Sequence, residues 1–361
     1  MLAVVVLALL AAIAFGGQTE RPELVNTQGG TFETAVVTDI LQDNLQENGS
    51  RVGDQIVRLR LTSGSQAGQI WEANSPNGML FGTVCTPGKK VVVISSQIED
   101  MGIHTVYSLD RSWPLLLFVG AFLLLLCLVG GWKGIRSALA LVFTFLCFLG
   151  LFFPLIMRGM TPIAAAILTS CLVLAVTVWL INGWTAKALS AGLSAFGGVL
   201  AAGITALIFG RAAGLSGYNV SNIEALMFVS QNTPIDVGQL LFAGILFASL
   251  GAVMDIAMDV SSAVDELHRL RPELSVKELF ASGMNVGRDV MGTMSATLIL
   301  AFFGGSLGVW VLDYVYALPW LQLINSNAIG IQLIQGLSGS FGVILTVPLS
   351  AACSAWLEKR V

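Results

Sequence analysis

Charge is scarce in this sequence. Only 11% of its 361 residues are Asp, Glu, Lys or Arg, against 55% hydrophobic residues, and the mean hydropathy is +0.81. Such a balance excludes an ordinary soluble globule, and no basic tract marks a nucleic acid partner. Histidine is nearly absent: His104 and His268 stand far apart, which argues against a zinc enzyme. The five cysteines, Cys85, Cys127, Cys147, Cys171 and Cys353, are scattered, and four of them sit inside apolar runs. No disulfide framework or CxxC site follows. Also missing are a nucleophile–base pair and a glycine-rich phosphate loop. No catalytic residue and no cofactor is expected beyond a bound proton or cation, and the chain is not read as an enzyme.

What fills the sequence is long apolar stretches. Runs able to cross roughly 30 Å of hydrocarbon lie near residues 113–131, 137–156, 161–182, 188–209, 236–260, 284–310 and 328–357. Seven spans are therefore predicted for 113–361, with a cytoplasmic loop at 261–283. The opening MLAVVVLALLAAIAF has no basic flank; residues 1–16 are expected to be a membrane anchor, with a signal peptide as the alternative. Residues 17–112 hold eleven of the 22 acidic and seven of the 18 basic groups and form a polar domain. Its alternating runs QIVRLRL, KKVVVIS and HTVYSL, separated by turn sequences such as NGSRVGD and NSPNG, predict strands of a small barrel or sandwich. The expected fold is thus a mainly α-helical polytopic membrane protein with a small extracytoplasmic β-rich domain.

Orientation follows from Lys and Arg, which gather in cytoplasmic loops. Alternate loops collect Lys133, Arg136, Lys187, Arg269, Arg271, Lys277, Lys359 and Arg360, while the opposite set keeps Arg158 and Arg211. This bias places residues 17–112 outside the cell membrane and the C-terminus in the cytoplasm. The bilayer is the first expected partner, and a homo-oligomer or a related membrane subunit is a further one.

Acidic residues cluster where apolar ones are expected. Seven of the eleven outside the polar domain fall between 255 and 289. Asp255, Asp259, Ser262 and Glu266 advance by 4, 3 and 4, which stacks them along one helical face. After the break at Arg271-Pro272, the capping box Ser275-x-x-Glu278 starts a second helix. There Glu278, Ser282, Asn285, Asp289, Thr293 and Thr297 form another row, beside Arg288. Helices joined by a short turn normally pack together, so the two stripes are expected to face each other as a polar seam. Two outcomes are open: Arg288 holds the carboxylates as structural glue, or an unpaired carboxylate exchanges a proton or binds a cation. The last span carries Gly336, Gly339 and Gly342 and an internal Pro348, which predicts close helix contact and a kink.

Several motifs, GGWKGIR at 130–136, INGWTAKAL at 181–189, LGAVMDIAMDVSSAVDEL at 250–267, SGMNVGRDVMGTM at 282–294 and GSFGVILTVPL at 339–349, give the chain its resemblance to the YibE/F-like family of bacterial multispan membrane proteins. It departs from that family at Ala296 and Asp259, where members often carry Asn and Ser. The resemblance implies a topology without supplying a mechanism. Residues 251–305 also resemble the transmembrane halves of resistance-nodulation-division and SecD/SecF proteins, through Gly251 four residues before Asp255, the segment PELSVKELFASGM and the turn AFFGG. That second likeness implies a helix bundle in which Asp255 carries a proton. Ile256 stands where many of those exporters have a second Asp, and no intramembrane Lys supplies a counter-charge.

The reading that follows is a membrane transporter, or a proton- or cation-coupled facilitator, of unspecified substrate. Asp255, Asp259 and Asp289 form its relay, supported by Ser262, Glu266, Asn285, Arg288, Thr293 and Thr297. The alternative is a non-transporting subunit or scaffold with a static seam, whose outer domain binds an envelope partner.

Overall fold

A computed structural model describes residues 17, 22 and 30–359, apart from 65, 77–80, 99–100 and 221–222; the expected anchor at 1–16 lies outside the described residues. The chain divides into two compact units, Glu23–Leu125 and one whose main segment is Leu126–Val361.

The first unit is built on five strands, β1 (Gly30–Gln42), β2 (Gln55–Leu61), β3 (Ile70–Ser75), β4 (Lys90–Ile98) and β5 (Met101–Leu109). They close into a barrel in the order β1-β2-β3-β5-β4. The long β1 pairs antiparallel with both β2 and β4, and β3 meets β5 in parallel, the strand order of an OB-type barrel. Alternation drives closure: in β2, Val57, Leu59 and Leu61 are fully buried while Arg58 and Arg60 point away from the core. All three strand runs anticipated from the sequence are present. β1 escaped because register shifts at Val37/Asp39 and Ile40/Gln42 interrupt its period. One stretch of the interior is polar: Ser95 Oγ donates to Glu33 Oε2 at 3.4 Å and lies 2.9 Å from His104 Nδ1. Burial pushes the His104 imidazole below its usual pKa, against the opposing pull of Glu33.

From Ser112 onward the described chain is helical, the first helix crossing the division between the two units. Among the described residues, six helical stretches are long and apolar enough to cross a membrane. The first, Ser112–Met157, comprises α1 (Ser112–Cys147), a π-helical turn at Phe148–Phe152 and α2 (Phe153–Met157). It covers two of the seven predicted runs, and it is broken at Gly131, whose φ of 53° and ψ of −133° lie outside helical space. There the chain folds back, so that a Cβ at Gly134 would collide with the Leu126 carbonyl. The others are α3 (Pro162–Asn182), α4 (Ala186–Ala212), α6 (Leu240–Leu270, preceded by one 3₁₀ turn), α7 (Val276–Gly305) and α10 (Asn327–Glu358); the shorter α5 (Ile223–Asn232), α8 (Leu307–Val315) and α9 (Trp320–Ile324) connect them.

The predicted loop at 261–283 is mostly helix, leaving only 271–275 between α6 and α7. Polar residues there had marked the end of an apolar run, yet the helical hydrogen bonding continues past it. The expected capping box is formed: the Ser275 amide donates to Glu278 Oε2 at 2.8 Å, and the Glu278 amide donates to Ser275 Oγ at 3.3 Å. The run predicted to reach 310 ends instead at Gly305, after which α8 begins as a separate helix.

Helices α4, α6 and α10 make the centre. Small residues let them approach, as expected where lipid offers no hydrophobic drive for association. At the α4–α10 crossing an added Cβ at Gly342 would lie 2.8 Å from the Gly198 carbonyl oxygen, and one at Gly198 would overlap Thr346 Oγ1. Helix α7 packs against α10 in the same way, with Gly283 against Ala351 and Gly287 against Val347. Replacing Gly198 with Leu is predicted to destabilise the bundle by about 1–3 kcal/mol, the usual effect of overpacking. Thermal unfolding in detergent should show a clear drop for Gly198→Leu and none for Gly192→Ala, a position facing open space.

Candidate functional site

The two acidic rows are in place, with an orientation other than that expected. On α6, the face made by Val253, Ile256, Ala257, Val260 and Val264 is at most 1% exposed. Hydrophobic packing therefore fixes the helix rotation and turns the opposite face outward. That outer row reads Gly244, Ala248, Gly251, Asp255 and Asp259, all exposed, followed by half-buried Ser262 and exposed Glu266. It contains no large apolar side chain. On α7, the glycines 283 and 287 seat the helix on its neighbours, so Asn285, Arg288, Asp289, Gly292, Thr293, Ala296 and Thr297 are exposed.

Packing contacts fix the level of each residue. Val264 lies against Gly283, and Ser249 and Leu298 both lie against Gly339 of α10. Both relations give one antiparallel register. Asp259 therefore stands level with Arg288, and Asp255 level with Gly292.

No salt bridge or hydrogen bond within the chain joins Asp255, Asp259, Arg288 or Asp289 to any partner among the described residues. The stripes expected to bond each other are instead both left open. Glu266 is held by Arg269 at 2.5 Å, close to the end of α6, and so belongs to a solvated helix end. Thr293 and Thr297 donate along their own helix, to Val290 O and Thr293 O, each at 2.8 Å. Ser262 and Asn285 line the face. Among the described residues, no three His, Cys, Asp or Glu side chains come together to hold a metal ion. The arrangement offers three carboxylates and one guanidinium with unused hydrogen-bonding capacity.

A second polar feature escaped sequence reading. Ser190 of α4, Ser261 of α6 and Ser350 and Ser354 of α10 are fully buried and meet at one point. Ser190 Oγ lies 3.2 Å from Ser261 Oγ, Ser261 Oγ 3.0 Å from Ser350 Oγ, and Ser354 Oγ 3.1 and 3.0 Å from those of Ser190 and Ser261. Ser190 and Ser350 also donate to the carbonyls of Lys187 and Ala257 at 2.9 and 3.0 Å. Each hydroxyl proton has an acceptor, so the knot ties three helices and has no free donor for a ligand. Its signal was the pairs Ser190/Ser194 and Ser350/Ser354, four residues apart inside apolar spans; Ser262 falls on the polar stripe, and Ser261 beside it carries the contact.

The model of the family described as YibE/F-like protein matches residues 118–360, a stretch that includes both acidic rows and the serine knot. No curated protein and no solved structure matches the chain.

Ser261→Ala should lower stability by about 0.6–1.7 kcal/mol, from the average to the maximum measured for interhelical side-chain hydrogen bonds in a membrane protein. Ser262→Ala should have no measurable effect on the same melting curve.

Proposed function

Because the chain belongs to the YibE/F-like family and carries six apolar helices of spanning length, both pointing to a multipass membrane protein, we propose that it is a transporter or a proton- or cation-coupled facilitator, with Asp255 as the coupling group. The observation that carries this reading is that no Lys, Arg or His side chain among the described residues bonds Asp255 or Asp259, even though Arg288 stands at the level of Asp259 on the next helix. A carboxylate inside a bilayer costs about 2.5–3.5 kcal/mol on insertion scales. A fixed Arg partner would remove its reason to titrate. Left unpaired, and with a second Asp one turn away, it gains from taking up a proton or a cation instead.

In this mechanism Asp255 and Asp259 resist simultaneous ionisation, so one of them holds a proton or shares a cation. Asp289 is the third acceptor. Thr293 and Thr297 line the same face, and the spent hydroxyl protons of both leave oxygen lone pairs toward it. The small residues above, Gly251, Ala248 and Gly244, leave room for water or for another helix. Neutralising Asp255 would remove the repulsion with Asp259 and change what can pack on the face; this coupling is the proposed link between proton binding and movement of α6 against α7. The local likeness to resistance-nodulation-division proteins, with Gly251 and Asp255 at the corresponding spacing, supports the same role. With the positive-inside bias, the barrel lies outside the cell membrane and presents or gates the substrate, while the α6–α7 turn and the C-terminus lie in the cytoplasm.

Purified protein in proteoliposomes under an imposed proton gradient tests the reading. Asp255→Asn should abolish proton or cation flux while its melting temperature in detergent stays equal to or above that of the wild type, since an unpaired charge is removed. A static seam would give the opposite: lower stability in Asp255→Asn, with any flux unchanged.

A further inference from the structure

The open face has a chemistry of its own that identifies its cover. Gly251, Asp255 and Asp259 on α6, and Arg288, Gly292 and Ala296 on α7, are exposed on the single chain, and a Cβ at either Gly251 or Gly292 would meet nothing within 4 Å. A lipid tail cannot satisfy the charges, and the small residues at these depths let another helix approach closely. A second protein surface does, if it offers a cation at the depth of Asp259 and small residues at the depth of Gly251.

From this we infer that the face is a homodimer interface, in which α6 of one copy lies against α7 of its partner about a two-fold axis along the membrane normal. Such an axis preserves depth: every residue meets partner residues of its own level. The antiparallel register set by Val264 with Gly283, and by Ser249 and Leu298 at Gly339, makes the levels explicit. Asp259 meets the partner subunit's Arg288, Gly251 meets the partner subunit's Ala296, and Asp255 meets the partner subunit's Gly292. Opposite charges and small residues fall opposite each other without any shift in depth, and the contact is self-complementary, as a two-fold interface requires.

The pairing also sorts the acids. Arg288 neutralises Asp259 across the interface, and Asp255, opposite a glycine, keeps no fixed cation and remains free to titrate. The inference thus rests on the transport reading for the role of Asp255, whereas the dimer itself stands on the register and the charges.

Charge exchange in trans tests it, using full-length chains with two different affinity tags, co-expressed and extracted in mild detergent. Wild-type chains should capture each other. Arg288→Asp alone places like charges at both symmetric contacts, as does Asp259→Arg alone, and self-capture of each variant should fall about tenfold or more. Co-expression of one Arg288→Asp chain with one Asp259→Arg chain restores an opposite pair at each contact, and mixed capture should return to within about twofold of the wild type. Recovery in the mixed pair also shows that both variants fold. Wild-type chains that do not capture each other, single variants that self-capture normally, or a mixed pair that fails while each variant remains monodisperse and thermally stable would each overturn the dimer. Asp255→Asn should dimerise normally; loss of flux in that variant with capture intact leaves the dimer standing, and loss of capture with flux intact removes the dimer and leaves the transport reading.

Discussion

A carboxylate among apolar helices must have a proton, a cation or water, because the ionised group alone is too costly in a low dielectric. The arrangement of α6 and α7 follows from how this chain meets that constraint. It does not meet it internally: Asp255, Asp259 and Asp289 have no bonded partner among the described residues, although Arg288 is close in level. What the fold supplies is an open polar row, available to a proton, a cation or a partner surface.

The rest of the bundle keeps that row in position. α6 is fixed on its inner side by Val253, Ile256, Ala257 and Val260, by the glycine crossing of α4 and α10, and by the knot of four serines. These contacts are short, satisfied and buried, properties of a rigid frame. α7 differs: within its spanning window only 6% is buried, against 56% for the stretch that includes α6. Seated on the frame by Gly283 and Gly287 and open on its other side, this helix suits a partner-binding element, and it carries Arg288 and Asp289.

Much of this was legible in the residues. Span positions followed from hydropathy, the α6–α7 break from Pro272 and the Ser275–Glu278 capping box, and the acidic stripes from spacings of three and four. The direction of the stripes was not legible, because periodicity states which residues share a face and is silent on which face meets the core. Val253, Ile256 and Val260 have the same period as the aspartates, and only packing against α4 and α10 decides that the valines win the interior. The serine knot was hidden for a related reason: its four members come from three helices far apart in sequence, and a hydroxyl in an apolar span looks alike whether it bonds its own helix or another. In the barrel, bulges in β1 masked a strand that alternation alone would have found.

The central claim, that Asp255 is a titrating group without a fixed cation, is tested most directly by infrared difference spectroscopy of the wild type in proteoliposomes across a pH titration, compared with Asp255→Asn. The account predicts a protonated-carboxyl band that grows as pH falls and is missing from the variant. A carboxyl that stays ionised through the whole titration, with identical difference spectra for wild type and Asp255→Asn, would contradict it.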